Sequence, residues 1–302
     1  MVSRVPPRLA LRRFCRRRDR GFYFSTAFLP SAKRDAVLAL GGFCRMIAAA
    51  FAPAANAQQT WLLFKSRLDE LYARRLELPM PQFRTPEQHI LAGVMEAVAR
   101  YQIPRGLFEE LADGCCAGLG TSRYATWAAL EKFCGSTGGT AARILSCALG
   151  LQHSQASRQA GEMGVALQCT HLLGALKADA ARGCIYLPLE DLAQFRYRQE
   201  CLIAGRVNDE FRALMQFEIE RVREIYRRGA QGICWLAGEG ARLMAATLLL
   251  EGAALVGAVE RRGFDVFTHA PRPTAGRWLA RLPAAWRLAR RPEGRPLPNV
   301  FG

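Results

Sequence analysis

Apolar residues recur at three- and four-residue spacing through most of the chain, and no stretch keeps the strict alternation of a half-buried strand. Ser31, after Pro30, is a candidate N-cap for a helix reaching Ala50, with Ala36, Leu40, Phe43 and Ile47 on one side. Thr85, Pro86 and Gln88 form a capping box with proline at the first helical position, which predicts a helix to about Arg100. Thr126 caps the segment holding Leu130, Phe133 and Cys134, and the glycines from Gly135 to Gly139 are expected to interrupt it before a helix from Ala141 to Leu149. Ala160 to Ala181 is helical and mostly apolar, ending at Gly183 with Pro188 just beyond. Asn208 caps a long amphipathic helix whose stripe is Phe211, Leu214, Met215, Val222, Ile225 and Tyr226, with Arg212, Glu220, Arg221, Arg227 and Arg228 opposite. Such a stripe reads as core. Ala241 to Val259 approaches the length of a membrane span, but Arg242 and Glu251 favour a buried core helix. The pattern predicts an all-α protein.

The 302 residues, half of them hydrophobic, suffice for a large core. Three regions are expected: a basic N-terminal tail over 1–18, a helical domain over 19–270, and a basic Trp/Arg tail over 271–302. The net charge of +16 implies attraction to something anionic, such as phospholipid head groups or diphosphates. No zinc finger or RNA-recognition signature accompanies it, so nucleic acid is not an expected partner. In the C-terminal segment Trp278, Leu279, Leu282, Trp286 and Leu288 alternate with arginines, as in helices lying in a membrane interface, although Pro283 should interrupt a single helix. Packing of this segment on the domain is the alternative. The ten cysteines show no zinc-type spacing and point to a reducing compartment. We therefore expect a cytoplasmic protein, with the basic tail suited to the inner face of the membrane. The Arg-rich start, without an acid before Asp19, also fits the composition of a mitochondrial transit peptide.

Four blocks carry a resemblance. They are GFYFSTAFLPSAKRDAVLALGGFCRMI, DGCCAGLGTSRYATWAALEKFCGSTGGTAARIL, MGVALQCTHLLGALKADAARGCIYLPLED and AVERRGFDVF, together spanning about Gly21 to Phe267. In this order they resemble the squalene and phytoene synthases, head-to-head prenyl transferases. The resemblance implies an isoprenoid-synthase helical bundle around a central apolar cavity, with two aspartate-rich motifs facing each other across its mouth. In such enzymes carboxylates on facing helices hold Mg²⁺, which neutralises the departing diphosphate.

This chain departs from that pattern where the chemistry lies. Ala48, Ala49 and Ala52 stand at the first motif's three acids, and Ala175 at the first acid of the second motif, leaving Asp179 as a lone metal candidate. Gly118 replaces a further acid, Gly41 and Phe133 replace tyrosines, and His171 and Gly174 stand where Asn and Arg are usual. Arg45, Arg123, Tyr124, Gln168, Arg182, Tyr186 and Glu190 match the family motifs, and Lys177 adds a positive charge. By resemblance these are candidate contacts for an isoprenyl diphosphate or related lipid at a more electropositive mouth. Each also has a structural alternative, such as Asp179 pairing with Arg182 on the same helix. The functional expectation is a squalene/phytoene synthase-like protein that is catalytically impaired or non-catalytic. One alternative is an active Mg²⁺-dependent transferase that condenses two farnesyl or geranylgeranyl diphosphates, with Glu162, Asp113 and Asp191 as substitute ligands. Another is a peripheral membrane or assembly scaffold, a role with precedent in a respiratory-complex assembly factor of the family.

Overall fold

Helix starts fall where the cap residues stand. In the computed structural model, which describes residues 7–51, 57–73, 85–268 and 277–301, Thr85 and Gln88 form the reciprocal capping box that opens α5 (Pro86–Tyr101). Thr126 accepts from Ala129 N to open α7 (Trp127–Cys134), and Asn208 accepts from Phe211 N to open α12 (Asp209–Ala230). Each side-chain oxygen satisfies a backbone donor that the first helical turn leaves free. The remaining longer helices are α1 (Pro7–Arg18), α3 (Ser31–Phe51), α4 (Ala57–Tyr72), α6 (Arg105–Ala117), α8 (Thr140–Leu149), α9 (Ala156–Ala181), α13 (Glu239–Arg261) and α14 (Arg277–Ala289). Short helices α2 (Arg20–Ser25), α10 (Leu189–Gln194) and α11 (Gln199–Ile203) complete the set. A short parallel pair joins β1 (Arg123–Tyr124) to β2 (Ile185–Pro188). The all-α expectation holds.

Two apolar clusters organise the bundle. One gathers side chains of α1, α3, α5, α6 and α8, including Leu38, Leu40, Ile90, Phe108 and Ile144. The other gathers α9, α12, α13 and β2, including Leu176, Phe211, Met215, Ile225 and Tyr226. Helix α9 packs against α8, α12 and α13, which explains why its sequence is apolar on several sides rather than along one stripe. Helix α13 is long and apolar enough to cross a membrane by length and composition, yet Leu243, Met244, Leu249, Val256 and Val259 are buried in the bundle.

Three expectations need correction. The glycines of GSTGG do not interrupt the helix: residues Gly135–Gly139 form a π-turn that carries α7 into α8. A Cβ on Gly164 would lie 2.2 Å from Gly138 O, so small residues here let α9 lie against that turn. Pro283 does not break α14, which continues through it because Ala285, Leu288 and Ala289 bury against the domain. α1 and α14, which fall in the two expected tails, dock on the domain. Leu11 and Cys15 of α1 are buried, Arg12 pairs with Asp35 at 2.8 Å, and Arg290 pairs with Glu239 at 2.7 Å. Ala52, the residues 1–6 and 271–276, and the side chains of Arg277 and Trp278 lie outside the described residues.

Candidate functional site

A cavity of about 320 Å³ lies at the seam between the two apolar clusters. Its floor and walls are apolar, from Leu145 and Leu149 of α8, Met163 and Leu167 of α9, Ile233, and Met244 and Leu248 of α13. Its size falls within the range of about 300–1,000 Å³ usual for small-molecule sites. Polar groups enter from four separate segments: Asp19 ahead of α2, Arg45 of α3, Gln168 and His171 of α9, and Glu251 of α13.

Asp19 holds two partners. One carboxylate oxygen caps α2 by accepting from Phe22 N at 2.9 Å, and the other accepts from Arg45 Nη2 at 2.5 Å. Arg45 also lies over the Phe22 ring, 5.3 Å from its centroid. This arrangement leaves Arg45 paired rather than offered as a free cation. His171 lines the cavity but is itself exposed; partial desolvation lowers its pKa, with Asp19 opposing the shift and Arg45 assisting it. Glu251 sits half-buried in an otherwise apolar stretch of α13, against α2, where a Cβ on Gly21 would lie 2.1 Å from its Oε1. Burial, with Asp19 adding and Arg281 opposing, pushes the Glu251 carboxyl up to about 7.

Of the candidate contacts, only Arg45 and Gln168 line this cavity. Arg123 is occupied structurally, donating to Gln199 Oε1 at 2.7 Å, Ser122 O at 2.8 Å and Gly183 O at 2.5 Å. Tyr124 and Tyr186 pack with Phe133, with ring centroids 5.5–5.9 Å apart. Glu190 accepts from Trp127 N at 2.6 Å and so supports the start of α7. Lys177 lines a separate surface hollow with Ile203 and Phe267. Asp179 is buried and pairs with the exposed Arg182, its carboxyl raised by burial with Arg182 opposing. Asp179, Arg182 and Tyr186 interact electrostatically, so part of the expected set gathers beside the β1–β2 pair instead of in the cavity. The electropositive mouth is therefore corrected, because two acids face the one arginine of the expected set that reaches it.

The residues present do not fit a Mg²⁺ cluster. Ala48 and Ala49 are exposed near the end of α3, and Ala175 offers no ligand on α9. Among the described residues, no group of three or more His, Cys, Asp or Glu side chains could hold a metal ion. The substitute acids are scattered: Glu162 pairs with Arg228 at 2.9 Å, Asp191 with Arg221 at 2.7 Å, and Asp113 stands exposed on α6.

The family's sequence profile, squalene/phytoene synthase, matches residues 15–279. The chain belongs to the squalene/phytoene synthase family. It is 28% identical over 279 residues to a 15-cis-phytoene synthase of Synechococcus elongatus, covering 87% of each chain. It is likewise 28% identical over 298 residues to a phytoene synthase of Thermus thermophilus, covering 98% of this chain and 99% of that one. Among solved structures, a dehydrosqualene synthase superposes with a TM-score of 0.81 at 18% identity, covering 92% of this chain and 95% of the other. The squalene synthase HpnC of Alicyclobacillus acidocaldarius superposes with a TM-score of 0.74 at 20% identity, covering 86% and 95%. These likenesses establish the isoprenoid-synthase fold.

Two residues of the cavity mouth escaped the sequence reading. Asp19 served there only as the first acid after the Arg-rich start, and Glu251 only to argue against membrane spanning. A carboxylate inside an apolar helical run is itself a signal, because burial without a partner is costly.

Proposed function

We propose that this chain is a non-catalytic or strongly impaired member of its family that retains a binding cavity for an apolar isoprenoid or related lipid chain. One observation carries the reading: the apolar cavity persists while, among the described residues, no set of side chains that could hold a metal to neutralise a departing diphosphate assembles around it. Ionisation of an allylic diphosphate leaves a multiply charged group, and without a metal clamp several kcal/mol of charge stabilisation are missing. The chain's own groups do not replace it, since Arg45 is held by Asp19 and Arg182 by Asp179.

The decisive experiment incubates the full chain with farnesyl or geranylgeranyl diphosphate and Mg²⁺, followed by analysis of hydrocarbon products and released diphosphate. Background levels of both are expected. Sustained formation of presqualene diphosphate, squalene or phytoene would instead establish an active transferase.

A further inference from the structure

We propose that the rim of the cavity mouth docks on an anionic phospholipid bilayer, so that the apolar cavity opens directly onto the membrane. This deepens the cavity-binding reading above, from which it takes its orientation, by naming the phase that supplies the lipid chain. Three contacts bring the rim together. Asp19 pairs with Arg45 of α3 at 2.5 Å, Gly21 of α2 lies against the Glu251 carboxyl of α13, and Arg281 of α14 is within electrostatic reach of the same carboxyl.

Cations surround these contacts. Arg16 and Arg17 stand in the last turn of α1 just before Asp19, and Arg20 follows it; all three are exposed and make no ion pair among the described residues. On α12, by contrast, Arg221, Arg223, Arg227 and Arg228 each meet an acid at 2.5–2.9 Å. Apolar groups flank the rim cations. Ala48 and Ala49, three and four residues beyond Arg45 on the same face of α3, are exposed. α3 ends at Phe51, α4 begins at Ala57, and the Phe43 and Phe64 rings meet at 6.3 Å, so the two helices run antiparallel. Leu62 and Leu63, each 62% exposed, thus lie level with those alanines. Leu279, 63% exposed, stands on the first turn of α14 beside Arg281. Arginines among exposed leucines match a bilayer interface, where phosphate head groups meet the charge and the acyl region takes the apolar side chains. Nucleic acid would answer the arginines alone.

The test is sedimentation of the full chain with phosphatidylcholine vesicles, with and without phosphatidylglycerol. Binding to the anionic vesicles is expected, weakening as salt is raised from about 0.1 to 0.5 M. The triple variant Arg16→Gln, Arg17→Gln, Arg20→Gln should bind roughly a hundredfold more weakly. Arg100→Gln, Lys132→Gln, Arg158→Gln removes the same charge from exposed positions on α5, α7 and the start of α9, and should lose less than about threefold. Leu279→Ser should weaken binding about fivefold at high salt, where the apolar contacts dominate. Thermal melts are expected to be unchanged at these exposed positions. Equal loss in the two triple variants, tight binding by the first, or equal binding to neutral vesicles would overturn the proposal. So would arginine-dependent binding of duplex RNA as tight as that of the vesicles. Calorimetric titration of farnesol into the full chain without vesicles reads the cavity separately. Farnesol binding without vesicle binding would remove the docking surface alone, and vesicle binding without farnesol binding would remove the cavity reading alone.

Discussion

Tyr226 is fully buried, and its hydroxyl shares a 3.0 Å hydrogen bond with Thr170 Oγ1, which also donates to Ala166 O. Space for that hydroxyl exists because position 252 is glycine: a Cβ there would lie 1.9 Å from it. Gly252→Ala is therefore expected to lower stability by about 1–3 kcal/mol through overpacking. Tyr226→Phe should cost only about 1 kcal/mol, the net value of one buried hydrogen bond. Urea denaturation of the two single variants measures the difference, and an innocuous Gly252→Ala would show that the hydroxyl does not occupy that space. Two buried acids make stability depend on pH. Burial, opposed by Arg221 and reinforced by Asp191, pushes Glu218 up to about 8, and Glu251 lies at about 7. Both bind protons more tightly folded than unfolded between about pH 4.5 and these values. Their contribution to stability is thus fully present below pH 4.5 and declines as pH rises to about 8. Thermal melts across this window should show the decline, and Glu251→Gln combined with Glu218→Gln should reduce it.

At the scale of elements, one arginine joins α10 to α12. Arg221 donates to Asp191 Oδ2 at 2.7 Å and Oδ1 at 3.2 Å, and to Glu218 Oε2 at 2.8 Å, while its guanidinium lies 4.5 Å from the ring centroids of Trp127 and Phe217. Both acids are buried, so removing their shared cation strands two carboxyls away from water. Arg221→Ala is expected to destabilise by about 3–5 kcal/mol, read from the denaturation midpoint. Replacing Asp191, Glu218 and Arg221 together with apolar residues of similar volume should recover much of that loss. A single variant with unchanged stability would mean that the cluster is solvated. Through this pair Asp191 of the LPLED segment fastens α10 to α12.

Over the whole molecule, the C-terminal helix belongs to the fold. α14 packs along α13, Arg291 donates to Ala230 O at 3.0 Å, and Phe301 lies 5.9 Å from Tyr226 between ring centroids. Deleting residues 277–302 should therefore lower the melting temperature markedly in scanning calorimetry, because the buried faces of α13 and Tyr226 lose their cover. An unchanged melt would restore the view of this segment as an independent tail. The same packing brings Arg281 within electrostatic reach of Glu251, so the C-terminal helix also helps set the charge of the cavity mouth.

Caps and periodicity made the helices legible, because the Thr85, Thr126 and Asn208 oxygens act on backbone donors only three residues away. Four blocks in order carried the resemblance that the family match bears out, and the alanines at its acid positions are what motivates the proposal of a lost metal clamp. The makeup of the mouth was not legible. Asp19, Arg45, His171 and Glu251 stand far apart along the chain and meet only when α2, α3, α9 and α13 pack around one cavity. Arg123 and Asp179, marked by motif matching as a ligand contact and a metal candidate, and Lys177, marked by its added charge, are each turned elsewhere by packing. Local interactions fix the helices from nearby residues, whereas the charge and burial of a site depend on contacts between distant segments, which only the tertiary structure decides.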